Sequence, residues 1–302
     1  MNIKSIFRSK LFKLVFTLIL MIFILSIINF KLLIQSLLNI KPIFLLAIAL
    51  IPVGIFFRAW RLFEILNKDS KIISLKNSYL LTLVGVGLNI FLPASMGDIA
   101  KSYYGYKWHG SKEEMLSASI ADKIIALLSL FIIGSAAAFF LEMGTLFLFS
   151  ILISFLILLL VFYPRLFPWF IINKLYFILT KNQMNDKKLD QAFNLSNKIK
   201  LITIIISIIG WLISCLQLLI ICESFSIKID FLYILAIASL MNLAILFPLT
   251  LNGLGSSEAM IIYLFGLKNI SPTLAVLVSF LYTQIISTII PGSFGLILIL
   301  KK

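Results

Sequence analysis

The stretch LNIFLPASMGDIAKSYYGYK, residues 88–107, closes an apolar run and decides how the rest of the chain is read. Pro93, Gly97, Asp98 and Lys101 fall within nine residues of one another, in a chain that is otherwise largely Leu, Ile and Phe. A helix breaker, a flexible residue and two charges at the end of an apolar segment predict irregular backbone next to a polar cavity. Such backbone is tolerated at membrane depth only where protein or trapped water satisfies its polar groups.

The surroundings are those of a membrane protein. Of 302 residues, 61% are hydrophobic and the mean hydropathy is +1.12, against about 45–50% apolar in soluble domains. The apolar runs are continuous and lack the alternation of barrel strands, so the expected fold is an all-α polytopic membrane protein with about 6–8 spans. The net charge of +14 is assigned to short loops that orient the chain and meet anionic lipid, with no nucleic-acid partner. Cys215 and Cys222 show no CxxC or CxxH spacing, and His109 is the single histidine. No metal site and no cofactor are expected.

The distribution of basic residues fixes an expected topology. Lys4, Arg8, Lys10 and Lys13 place the N-terminus in the cytoplasm, and the apolar run that follows is read as a retained first span, about 14–30. A second span, about 42–62, ends in a basic stretch beginning with Arg58 and Arg61. Spans at about 115–140 and 144–163 are joined by a tight turn at Glu142–Gly144. The segment 164–200 is a basic cytoplasmic connector between a first half, about 10–163, and a second half, about 201–300. With both flanks inside, the run 78–96 is not one ordinary span. It is expected to enter the membrane, break near Gly85, Gly87 or Pro93, and return.

The second half repeats the pattern. FPLTLNGLGSSEAMIIYLFG, residues 247–266, breaks another apolar run with Pro248, Gly253 and Gly255 and then places Glu258 in it. After a span at about 201–222, and with Lys301 and Lys302 inside, residues 231–267 form a second re-entrant unit that enters from the opposite face. Two broken segments in corresponding positions of oppositely oriented halves point to a transport site. Kinks in ordinary spans are the plainer reading of each alone.

Charges inside spans are costly and mark function. The expected substrate-binding set is Arg58, Arg61, Asp98, Lys101, Asp122, Lys123 and Glu258. Asp98 and Lys101 are spaced i, i+3 and share a helix face. Asp122 and Lys123 are adjacent and need other partners. Buried ion pairs of Asp98 or Asp122 with Arg58, Arg61 or Lys101 are the structural alternative, and such pairs can exchange a carboxylate for a phosphate, which suits the arginine fork. Asp98 and Glu258 are also placed as simple helix caps. Tyr103, Tyr104, Tyr106 and Trp108 read as an interfacial belt, with a headgroup lining as the alternative.

Four segments carry a family resemblance. RAWRLFEIL (58–66), LPASMGDIAKSYYGYK (92–107), ASIADKIIAL (118–127) and FPLTLNGLGSSEAM (247–260) are similar to segments of the membrane domain of the lysylphosphatidylglycerol synthase family. Asp98 and Asp122 stand where Glu is usual, Lys101 and Lys123 where Arg is usual, and Ser257 where a basic residue is common. The resemblance covers about residues 10–300. It implies a lipid flippase-like protein of a bacterial or archaeal cytoplasmic membrane, without the soluble synthase domain of fused members, and not an enzyme. The implied substrate is an anionic lipid, either a phospholipid or a polyprenyl-phosphate carrier.

Two other readings remain open at this level. One is an enzyme acting on lipid phosphate, against which stand only four arginines, Arg8, Arg58, Arg61 and Arg165, no Ser-Arg-Ser after Pro291-Gly292 and no paired acid motif. The other is a scaffold subunit for a cell-envelope glycosyltransferase or lipid-synthesis partner. The sequence does not give the oligomeric state.

Overall fold

The structure, a computed structural model, describes residues 15, 17–69, 72–92, 95–109, 112–163, 194–246 and 253–300. Pro93, Pro248 and most of the expected connector, residues 164–193, lie outside them. The described residues form eleven helices and no strand, an all-α polytopic membrane protein.

The chain begins with α1 (Thr17–Ile27), which bends by 81° into α2 (Phe30–Leu38). The expected first span therefore ends earlier than Phe30. Asn29 makes the corner: its side chain accepts the Leu32 N–H, and its own N–H donates to Thr273 Oγ1 at 3.0 Å. Next come α3 (Phe44–Leu66), α4 (Leu75–Asn89), α5 (Gly97–His109), α6 (Lys112–Phe140) and α7 (Gly144–Phe162). The tight turn before α7 is present, with Glu142 at φ +57° and Met143 N–H bonded back to Ala138 O. The second half holds α8 (Asn197–Ser224), α9 (Phe231–Leu246), α10 (Ser256–Gly266) and α11 (Pro272–Leu300).

Five of these helices, α3, α6, α7, α8 and α11, are long and apolar enough to cross a membrane, and the bent α1–α2 pair makes a sixth candidate. The remaining four pair as two hairpins. In the first, Gly97 sits against Gly85 and Asn89, Gly85 against Lys101, and Gly105 against Leu81. Rising positions on α5 thus meet falling positions on α4, so the two helices run antiparallel. With 15 and 13 residues, at about 1.5 Å per residue, each is roughly 20 Å long and short of a hydrocarbon core of about 30 Å. The second hairpin is built alike from α9 and α10. Gly253 packs on Ile245, Ser256 Oγ donates to Ala244 O at 2.9 Å, and Tyr233 OH donates to Leu264 O at 2.6 Å.

Of the three positions offered for the first break, the interval between Asn89 and Gly97 contains Pro93 and neither glycine. α4 runs unbroken through Gly85 and Gly87. Their missing Cβ atoms serve close packing instead. A Cβ on Gly85 would lie 3.0 Å from Lys101 Cδ, and one on Gly87 would lie 2.8 Å from Gly292 O of α11. In the second half Gly253 and Gly255 do make the break, at φ +77° and +89°, backbone that other residues rarely adopt.

The order long helix, hairpin, long helix occurs twice: α3, α4–α5, α6 and then α8, α9–α10, α11. The two lead helices lie side by side in opposite directions. Gln217 Nε2 donates to Ala47 O at 2.9 Å, Gly210 abuts Phe57, and Arg61 Nη1 donates to Ser207 Oγ at 2.8 Å. The halves also exchange partners. The second hairpin packs on α6 through Ser239 against Gly134, and the first packs on α11 through Gly87 against Gly292. Antiparallel lead helices and reciprocal contacts between the halves are those expected of an inverted repeat. α6 and α11 are the most enclosed of the spanning helices and α7 the least.

Candidate functional site

Arg58 and Arg61 lie one turn apart on α3, near its basic end. Asp98 and Lys101 occupy the first turns of α5. Asp122 and Lys123 sit on adjacent faces of α6. Packing these three helices together brings all six charges into one cluster. Arg58 Nη2 donates to Asp98 Oδ1 at 3.1 Å and Lys123 Nζ to Asp98 Oδ2 at 2.8 Å. Arg61 Nε donates to Asp122 Oδ1 at 2.6 Å and Lys101 Nζ to Asp122 Oδ2 at 2.7 Å. Each carboxylate is therefore bridged by one arginine and one lysine. Neither intrahelical neighbour, Asp98 to Lys101 or Asp122 to Lys123, forms one of these ion pairs.

The two triads differ in access. In the Asp122 triad the side chains of Asp122, Arg61 and Lys101 are 5%, 6% and 2% exposed. In the Asp98 triad Asp98, Arg58 and Lys123 are 10%, 35% and 20% exposed. Four cations face two carboxylates, so the cluster carries a surplus of two positive charges. That surplus is unfavourable in a low-dielectric interior unless an anion visits it.

A cavity of about 180 Å³ opens onto the cluster. Arg58, Arg61, Asp98, Asp122 and Lys123 line it, while Lys101 stands behind Asp122 and is not among its described lining. Opposite them are Ser207, Trp211 and Ser214 of α8, Asn242 of α9 and Tyr282 and Thr283 of α11. The wall from α11 is a π-helical stretch, Leu281–Ile289, in which Thr288 Oγ1 donates to Thr283 O at 2.7 Å. Pro291 follows it and lacks an N–H, so the regular ladder is interrupted beside the cavity. The cavity lies between the two repeats, with lining from both.

Several contributors carry no obvious motif. Asn89 holds the corner of the first hairpin: its Oδ1 accepts the Gly97 N–H at 2.7 Å and its Nδ2 donates to Asp98 Oδ1 at 3.2 Å. The signal was present as a lone amide in an apolar run. Ser207 and the Ser214–Tyr282 pair, 2.8 Å apart, are indistinguishable in sequence from ordinary polar residues of a span.

Glu258 is placed elsewhere and is absent from the cavity's described lining. Its Oε2 accepts the Gly255 N–H at 2.7 Å and the Ser257 hydroxyl at 3.1 Å, a capping arrangement at the start of α10. Ser279 of α11 faces the carboxylate. Neither its Oγ nor Glu258 Oε1 completes a hydrogen bond among the described residues. Tyr103, Tyr104, Tyr106 and Trp108 are also absent from the described lining. Tyr103 and Tyr106 are exposed, with Lys107 and Lys112 over their rings. Among the described residues there is no group of His, Cys, Asp and Glu able to hold a metal.

The family profile described as lysylphosphatidylglycerol synthase TM region matches residues 10–295, nearly the whole chain. The chain belongs to that family. The lysylphosphatidylglycerol synthase TM region is a membrane domain tied to lipid handling, and each charged cavity residue falls within the matched segment. No curated protein matches the chain.

Proposed function

We propose that the protein moves an anionic lipid, a phospholipid or a polyprenyl-phosphate-linked lipid, between membrane leaflets without changing it covalently. The observation that carries this reading is the surplus of cations around a cavity between two oppositely oriented repeats. A phosphate headgroup neutralises that surplus. At about 180 Å³ the cavity is smaller than the roughly 300–1,000 Å³ of pockets that enclose drug-sized ligands. It suits a headgroup whose acyl chains stay in the bilayer. Rocking of one repeat against the other, around the fixed site, would present the headgroup to each side in turn. The membrane is a bacterial or archaeal cytoplasmic membrane, with both termini on the cytoplasmic side.

The experiment is headgroup translocation in proteoliposomes of the purified protein, with labelled phosphatidylglycerol, a polyprenyl phosphate and phosphatidylcholine compared. Faster movement of an anionic lipid than in protein-free vesicles supports the reading. Absence of movement for all three rejects it in favour of an enzyme or a scaffold.

A further inference from the structure

We propose that Asp98 is the resident anion of an exchangeable phosphate site whose ligands are Arg58 and Lys123. A lipid phosphate enters by displacing this carboxylate. The inference rests on the translocation reading for the identity of the lipid, but not for the site itself.

The two triads have the same composition, one carboxylate bridged by one arginine and one lysine. The Asp122 triad is closed. Both carboxylate oxygens are taken, Arg61 commits a second nitrogen to Ser207, and Lys101 is buried behind the cavity wall. The Asp98 triad is open. All three of its members line the cavity, and Arg58 and Lys123 are its most exposed charges. Among the described residues Arg58 uses only Nη2, at 3.1 Å, leaving Nε and Nη1 without a hydrogen bond. Both two-point edges of the guanidinium include Nη2, so a phosphate that displaces Asp98 there gains Nη2 together with Nε or Nη1.

The exchange requires the carboxylate to swing away from Arg58 and Lys123. Asp98 lies on the short helix of a hairpin, at the corner held by Asn89. When a phosphate binds Arg58 and Lys123, the Asn89 amide still offers a donor to Asp98. The empty site thus keeps one carboxylate between its two cations. The loaded site puts a phosphate in its place, so Arg58 and Lys123 face an anion in either state.

The test is anion binding by the purified protein in detergent. The probes are inorganic phosphate, dihexanoyl phosphatidylglycerol as monomers, and dihexanoyl phosphatidylcholine. Asp98→Asn removes the competitor and should tighten binding of the anionic probes by about tenfold or more, the scale of a close charge pair. Lys123→Met removes a ligand and should weaken it by a similar factor. Tightening for phosphatidylglycerol alone assigns the site to a lipid headgroup, and tightening for inorganic phosphate as well assigns it to phosphate of either source. Unchanged or weaker binding by folded Asp98→Asn overturns the proposal, as does unchanged binding by Lys123→Met. If Asp98→Asn does not fold, Lys123→Met decides alone. Binding that follows this pattern without lipid movement keeps the site and rejects translocation. Movement without the pattern keeps translocation and rejects the exchange.

Discussion

Lys101 Nζ lies 2.7 Å from Asp122 Oδ2, and Lys101 is among the largest fully buried side chains described. The pair joins the α4–α5 hairpin to the Asp122–Lys123 stretch of α6, and Arg61 completes the triad from α3. This closed triad clamps three helices together, while its open neighbour faces the cavity. On the proposed exchange, stability and ligand binding fall to two carboxylates 24 positions apart in the chain.

Asp122→Asn leaves the buried Arg61 and Lys101 without their anion. Breaking a buried pair in this way costs about 3–5 kcal/mol. Thermal unfolding in detergent should show a clear loss of stability, and a melting curve that superimposes on wild type contradicts the clamp.

Arg58→Lys keeps the charge at a position where the side chain is 35% exposed. Its effect on stability should be under about 1 kcal/mol. Lysine lacks the planar fork, so translocation should fall although the melting temperature holds. Equal translocation by the two proteins shows that charge alone suffices at this position.

Gly87→Val tests the contact between the first hairpin and α11. The new side chain meets backbone, Gly292 O at 2.8 Å and Leu296 N at 3.1 Å, and has no flexible neighbour to displace. Overpacking of this kind costs about 1–3 kcal/mol. Reduced yield of folded protein and a lower melting temperature are the expected result, and wild-type behaviour contradicts the close approach.

Glu258→Gln retains an oxygen that can accept the Gly255 N–H, so the cap of α10 survives. This variant should fold and translocate nearly as wild type does. Glu258→Ala loses the cap, at a cost of about 0.5–2 kcal/mol. A folded Glu258→Gln protein that moves no lipid shows that the negative charge is needed.

Composition made the class legible, because 61% hydrophobic residues in continuous runs admit little else. The breaks were legible where glycine must take positive φ, at Gly253 and Gly255. Of the three positions offered in the first half, Gly85 and Gly87 lie inside α4 and only Pro93 falls in the interval before α5, because a glycine that admits a neighbouring helix looks the same in sequence as one that ends its own. The charged residues were legible because charges inside spans are rare. Their pairing was not. Arg58 meets Asp98 across 40 positions and Arg61 meets Asp122 across 61, and only the packing of α3, α5 and α6 decides which acid takes which base. Glu258 looked equivalent to Asp98, since both follow a glycine at a helix start. The cluster of cations near one and not the other separates them.

The most direct test of the account is phosphatidylglycerol translocation in proteoliposomes by wild type beside Lys123→Met, with folding of both confirmed by their melting curves. The account predicts movement well above protein-free vesicles for wild type and near that background for the variant. Equal movement by the two proteins, or none by wild type for any anionic lipid, contradicts it.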